Sequence, residues 1–567
     1  MRIQLASLAL VTVVSIVACS KENAAPSATT TAPAKIAPAS GPISPANLLT
    51  HIRELASDRY EGRAPGSQGE ELATAYIEQQ FRKFGLAPGH PDGTYVQSVP
   101  LLGFQSTPDL KIEAGKRELH WRFLDDYVAV SRWAQSDVRV DDSEMIFVGY
   151  GIDAPEQSWD DYKGVDVRGK TVVMLINDPP VTGADGQLDP KIFGGKAMTY
   201  YGRWTYKYEI AAAKGAVGCL IVHETGPAAY PFAVITGSRS RENFEISAPD
   251  KNMGHVAMEG WLTLDAARKL FTACGQDYDV AKKAAATREF HPVSLGAKAS
   301  FTIENVLRNV ASKNVVALLP GSDPKLKDEF VIYTAHWDHL GRDPRLPGDQ
   351  IFNGAADNAA GVAVLLELAR AYTALPAAAR PKRSVLFLSV TAEEKGLLGS
   401  RYYAMEPLYP LTKTLANINM DGANQFGPTS DMATVGFGAS TIDDVGMAVA
   451  AAQGRQMFPE AHPENGSYYR SDHFEFAKVG VPSYYPKNGT HYIGQPDDFS
   501  ETQVKDYIAN RYHKVTDEVQ PNWTFEGAAQ DTAFLLEVGL RIANGDQWPE
   551  WKPGNEFKAR RDAMMKK

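Results

Sequence analysis

From Asn305 to Asn544 the chain alternates short, wholly apolar runs with helically spaced segments, and this rhythm restricts the fold more than any other feature. Residues 330–335, 384–391 and 415–420 read as strands buried on both faces. Residues 359–375, 441–452 and 524–544 carry apolar side chains at helical spacing. Such alternation specifies an α/β fold, a doubly wound mixed sheet flanked by helices, in which ligands gather outside the carboxyl ends of strands. The polar residues that stand out in this region fall at those ends.

A chain of 567 residues exceeds one ordinary core and implies at least two folded domains. Its net charge of -10 argues against a nucleic-acid partner, whose binding domains are basic. The three cysteines, Cys19, Cys219 and Cys274, exclude a disulfide framework and a thiolate zinc site. Cys219, in an apolar run, reads as a core thiol. Arg2 followed by apolar residues 3–18 reads as a signal peptide, too short for a comfortable membrane span. Residues 16–19, Ile-Val-Ala-Cys, resemble a bacterial lipoprotein box, which implies lipidation of Cys19 and an exported protein held on a membrane through that anchor alone. Residues 19–45, rich in Ala, Pro, Ser and Thr, read as the tether.

Helical spacing returns at residues 46–56 and 69–84, with Gly85 as a stop and the Gly- and Pro-containing stretch 59–67 as a loop between them. Strand patterns at 144–151, 170–176 and 216–222, with a short helix at 208–214, mark a different texture over 137–290. Residues 161–173 and 214–221 are similar to a protease-associated domain, a β-rich module without chemistry of its own. The expected organisation is therefore a peptidase-like domain in two parts, 46–136 and 291–548, with 137–290 inserted and 549–567 as a tail. Residues 492–510 read as irregular.

His336 closes the first strand in Thr-Ala-His-Trp-Asp-His-Leu-Gly. Asp357 opens the following helix, Glu393 and Glu394 end the second strand, Asp421 ends the third, and His513 stands near the last helix. Imidazole and carboxylate are the ligands of catalytic zinc, and a carboxylate between two cations can bridge them. Singly each residue has an ordinary explanation, Asp357 for instance as a helix N-cap. Together, at successive strand ends, they point to a two-metal site.

His336-Trp-Asp338, Asp357-Asn358, Glu393-Glu394, Asp421-Gly422 and the Tyr-His at 512–513 resemble the zinc aminopeptidase family of bacterial leucyl aminopeptidases, glutamate carboxypeptidase II and the transferrin receptor. The resemblance implies two zinc ions, one on His336 and Asp421, the other on Glu394 and His513, with Asp357 bridging. It makes Glu393 the general base and Asp338 the group that orients His336, with Asp517 doing the same for His513. It assigns Tyr512 and Arg470 to substrate, peptides in this family, and places a cis peptide between Asp357 and Asn358. His491 is the alternative to His513 as the last ligand. An aminopeptidase is the leading expectation. A carboxypeptidase, dipeptidase or glutaminyl cyclase on the same scaffold, or a non-catalytic receptor, are the alternatives.

Overall fold

The computed structural model describes residues 43–566. The signal peptide, Cys19 and the tether up to residue 42 lie outside the described residues. Ser44 caps the first helix, α1 (Pro45–Leu55), its Oγ accepting Asn47 N at 3.3 Å, with Pro45 at the tolerant first position. Helix α2 (Gln68–Lys83) starts on a Ser67 cap and buries Ala73, Ile77 and Phe81 along one face. The stretch between them is a loop of tight turns, kinked at Glu61 and Gly62.

Next come β1 (Val96–Ala114), β2 (Asp137–Phe147), β3 (Thr171–Leu175), α3 (Trp204–Ala213), β4 (Gly218–Val222) and β5 (Met258–Leu262). They are followed by β6 (Val293–Leu319), β7 (Phe330–His336), α4 (Ala360–Thr373), β8 (Ser384–Val390), β9 (Thr414–Asn419) and β10 (Ser483–Lys487). Helices α5 (Phe499–Asn510) and α6 (Glu526–Asn544) come last of those that matter here. All the named strands join one mixed sheet. Strands β2 to β5 pair in parallel, burying β3, β4 and β5 completely, with Cys219 inside as expected.

Strand β6 is 27 residues long and joins the two ends of the sheet. Its first half pairs with β2, its last five residues pair antiparallel with β8, and β1 runs beside it from Ala297↔Ala114 to Val315↔Val96. Strand β7 lies between β8 and β9, parallel to both, and β9 is parallel to β10. Every residue of β7, β8 and β9 is buried. Helix α4 is buried almost all round, as its apolar sequence requires. Residues 499–510, expected to be irregular, form α5, a helix with no fully buried residue. Among the described residues no helix is long and apolar enough to cross a membrane.

Candidate metal centre

Strand β7 ends on His336, β8 runs into Glu393 and Glu394 three residues past its end, and β9 is followed by Asp421. Parallel neighbours end on the same side, so these four side chains meet above one edge of the sheet. His336 Nε2 lies 3.4 Å from Asp357 Oδ1, 3.8 Å from Asp421 Oδ1 and 4.0 Å from Glu393 Oε2. Across the site, His513 Nε2 lies 3.3 Å from Asp357 Oδ2 and 3.1 Å from Glu394 Oε2. Asp357 thus offers one oxygen to each imidazole.

The donor set fits a pair of cations. Ligand atoms about 2.0–2.2 Å from a tetrahedral zinc stand roughly 3.3–3.6 Å from one another, close to the spacings found. Four carboxylates meet three imidazoles here, His339 among them at 2.7 Å from Glu394, an excess of negative charge that favours a bound cation. His336 and His513 register the field. Burial alone would lower both, but the carboxylates, Glu393 foremost for His336 and Glu394 for His513, hold both pKa values well above the ordinary range. Glu393 is raised well above the usual carboxylate range by burial and by the charges of Glu394, Asp421 and Asp472, against the pull of His336.

The loops that carry these candidate ligands are fixed by local hydrogen bonds. Asn358 Oδ1 accepts Gly361 N at 2.9 Å and Gly422 N at 2.8 Å, and its Nδ2 donates to Met420 O at 3.1 Å. One amide thereby locks the Asp357 turn to the Asp421 turn. Asp357 and Asn358 have non-helical backbone angles in the turn ahead of α4, so Asp357 is not an N-cap, and the Asp357–Asn358 peptide is cis. Gly354, with φ +56°, is required there: a Cβ would stand 2.3 Å from Asp357 O and 2.6 Å from His339 Cγ.

Of the two expected orienting groups, one is where it was expected. Asp338, buried, meets His336 Nδ1 with its backbone oxygen at 3.1 Å and its carboxylate at 3.6 Å, and that carboxylate also accepts Glu393 N at 3.0 Å and Glu394 N at 3.3 Å. Asp517 does not hold His513: its carboxylate accepts Ala356 N at 3.2 Å and Asp357 N at 3.1 Å, so it supports the bridging position instead. His491 is remote from the ligands, exposed and bound through Nδ1 to Asp431 at 3.0 Å. Tyr512 stacks on the His513 ring at 4.0 Å and is 38% exposed, so its hydroxyl is available beside the site. Arg470 donates to Ala228 O at 3.1 Å and lies over the Tyr230 ring.

Four further residues had no signal of their own in the sequence. Arg63, buried, donates to Trp337 O, Leu55 O, Asn353 O and Gly354 O at 2.9, 2.6, 2.6 and 2.9 Å, tying two ligand loops to α1. Tyr485 Oη donates to Asp421 Oδ2 at 3.1 Å and Lys487 Nζ to Asp421 O at 2.9 Å. Arg203, just ahead of α3, is drawn down to about 10 by burial and by the neighbouring Arg470 guanidinium, with Tyr230, Tyr512 and Glu393 also in its surroundings. Neither Arg203 nor Arg470 has a hydrogen-bond partner at its buried Nε.

Residues 314–536 match the model of Peptidase family M28. Aminopeptidase NAALADL1 of Mus musculus is 35% identical over 130 residues, which are 22% of this chain and 16% of that protein. Aminopeptidase YwaD of Bacillus subtilis is 32% identical over 114 residues, 20% of this chain and 22% of that protein. The chain therefore spans less than a quarter of the length of either relative. Among solved structures, an aminopeptidase from Aneurinibacillus sp. strain AM-1 is 20% identical with a TM-score of 0.49, covering 89% of this chain and 95% of its own.

Proposed function

We propose, for a chain whose residues 314–536 are a Peptidase family M28 domain, a zinc-dependent exopeptidase that removes N-terminal residues from peptides. The observation that carries this reading is the pair of imidazole–carboxylate sets sharing Asp357, with the Glu393 carboxylate standing beside them. His336 and Asp421 would hold one zinc ion, Glu394 and His513 a second, and Asp357 both. Zinc in such a set supplies a Lewis acid and lowers the pKa of bound water toward neutrality.

The protein's own groups do the rest. Glu393 takes a proton from the attacking water and hands it to the departing amine nitrogen as the C–N bond breaks. Asp338 keeps Glu393 and Glu394 in register by holding both backbone amides. The Tyr512 hydroxyl donates to the scissile carbonyl oxygen, and Arg470 binds the substrate backbone.

One observation favours a second reading, a carboxypeptidase or dipeptidase. Arg203 and Arg470 stand together without an ion pair among the described residues, as a receptor for a substrate carboxylate would. The test supplies the full chain with zinc and a panel of peptides blocked at either end. Cleavage only of peptides with a free N-terminus supports the aminopeptidase. A requirement for a free C-terminus supports the second reading, and a zinc-loaded protein that cleaves neither set refutes both. We also propose an exported lipoprotein anchored through Cys19, supported by residues 16–19 alone.

A further inference from the structure

His339 occupies the position three residues after His336, and its donor atom lies in a group with Asp357 and Glu394 compact enough to hold a cation. The side chain is fully buried. Its Nδ1 lies 2.7 Å from Glu394 Oε1, while Glu394 Oε2 faces His513 Nε2 at 3.1 Å. The two imidazoles thus divide the two oxygens of one carboxylate.

The distances separate their roles. A contact of 2.7 Å is a charge-assisted hydrogen bond, and is shorter than the roughly 3.3–3.6 Å between two ligands of one tetrahedral zinc. An ionised carboxylate carries no proton, so His339 Nδ1 is the donor and its lone pair is not free for a metal. The His513 spacings of 3.1 and 3.3 Å lie at or near the lower edge of that range.

We propose that His339 is a positioning residue: its Nδ1–H captures Glu394 Oε1, so that Oε2 alone is turned toward the His513 side of the site. The ring is held for this purpose. Its backbone N donates to Arg63 O at 3.3 Å, Gly354 packs against Cγ with no room for a Cβ, and its plane stands edge-on to the His513 ring at 5.8 Å. Its Nε2 is buried and has no hydrogen-bond partner, so Nδ1 is the working end of the ring. A Glu394 free to offer both oxygens would fill a coordination position that water or substrate needs; His339 keeps that position open. The inference rests on the exopeptidase reading only in taking Glu394 as a metal ligand.

The experiment compares His339→Asn and His339→Gln in the full chain. The Asn amide nitrogen reaches the place of Nδ1, whereas the Gln amide reaches that of Nε2. Zinc affinity is measured by competition with a chromophoric chelator, and the number of imidazoles bound to the metals by X-ray absorption. The weaker zinc should bind about 10–100-fold less tightly in His339→Gln, and His339→Asn should recover most of that loss. The imidazole count should equal that of the unaltered protein in both variants. Unchanged affinity in His339→Gln would overturn the proposal, as would the loss of one imidazole, which would make His339 a ligand. An unaltered protein that binds only one zinc defeats the two-metal reading itself, and chelator titration of that protein alone reveals it.

Discussion

Replacing Glu393 by Gln tests the reaction without disturbing its scaffold. Gln has the shape of Glu and cannot take a proton. The Glu393 side chain approaches His336 Nε2 no nearer than 4.0 Å, and the hydrogen bond that fixes its backbone, to Asp338 at 3.0 Å, involves only the amide. Fold and zinc content should therefore be unchanged. The rate should fall about 10²–10⁴-fold, or about 3–5 kcal/mol of barrier, the usual share of a general base. Glu394→Gln should behave differently, because Glu394 meets His339 at 2.7 Å and His513 at 3.1 Å and would be a ligand. Its loss of activity should come with a loss of zinc and be partly reversed by excess zinc. The assay is kcat and KM on a peptide with a free N-terminus, with metal content from mass spectrometry on the same samples. A Glu393→Gln protein with full zinc and normal kcat would refute the assignment, and exchanged behaviour of the two variants would mean exchanged roles.

Arg63→Leu strands four buried carbonyls, and at about 1 kcal/mol or more for each should cost about 4 kcal/mol in urea unfolding of zinc-free protein; a loss below about 1 kcal/mol would show the clamp to be unimportant. His51, buried on α1 with Nδ1 2.7 Å from Tyr76 Oη, is lowered by burial from 6.5 to about 4, so the folded state disfavours its charged form. Its contribution is fully present above pH 6.5 and is lost as pH falls toward 4, by up to about 3 kcal/mol, and His51→Gln should flatten that part of the stability profile. Cys19→Ser should release the protein from the membrane fraction; equal retention would contradict the lipid anchor.

The sequence was legible where structure is local. The strand expected at 330–335 is Phe330–His336, and the helix expected at 524–544 is Glu526–Asn544, because buried runs and periodic faces announce themselves. His336, Glu393, Glu394 and Asp421 could be placed together because each closes or follows a strand and the sheet brings such ends together, whereas the roles of Asp357 and His513 rest on the family resemblance. Helix Phe499–Asn510 was missed: it is short of apolar residues, buries none fully, and leaves Val504 and Ile508 exposed. Arg63 and Asp517 were opaque for another reason. Arg63 acts on carbonyls up to 291 positions away and Asp517 on amides 160 and 161 positions away, and nothing near either residue encodes such a partner. Strand β6 was not read as an element at all, because its start at Val293 is stabilised by pairing with β2.

The union of β1 with β6 sets the order in which this molecule can assemble. Partners from Ala114↔Ala297 to Val96↔Val315 lie roughly 200 residues apart along the chain. In a chain that emerges from its N-terminus, β1 appears well before its mate. Before that, only the end of β1 has an immediate native partner, Lys111–Ala114 against Arg117–His120, and the Arg63 guanidinium lacks the later carbonyls it will bind. A slow, late-committing folding reaction follows, one that rewards dilution or a holding chaperone more than it rewards a stronger core.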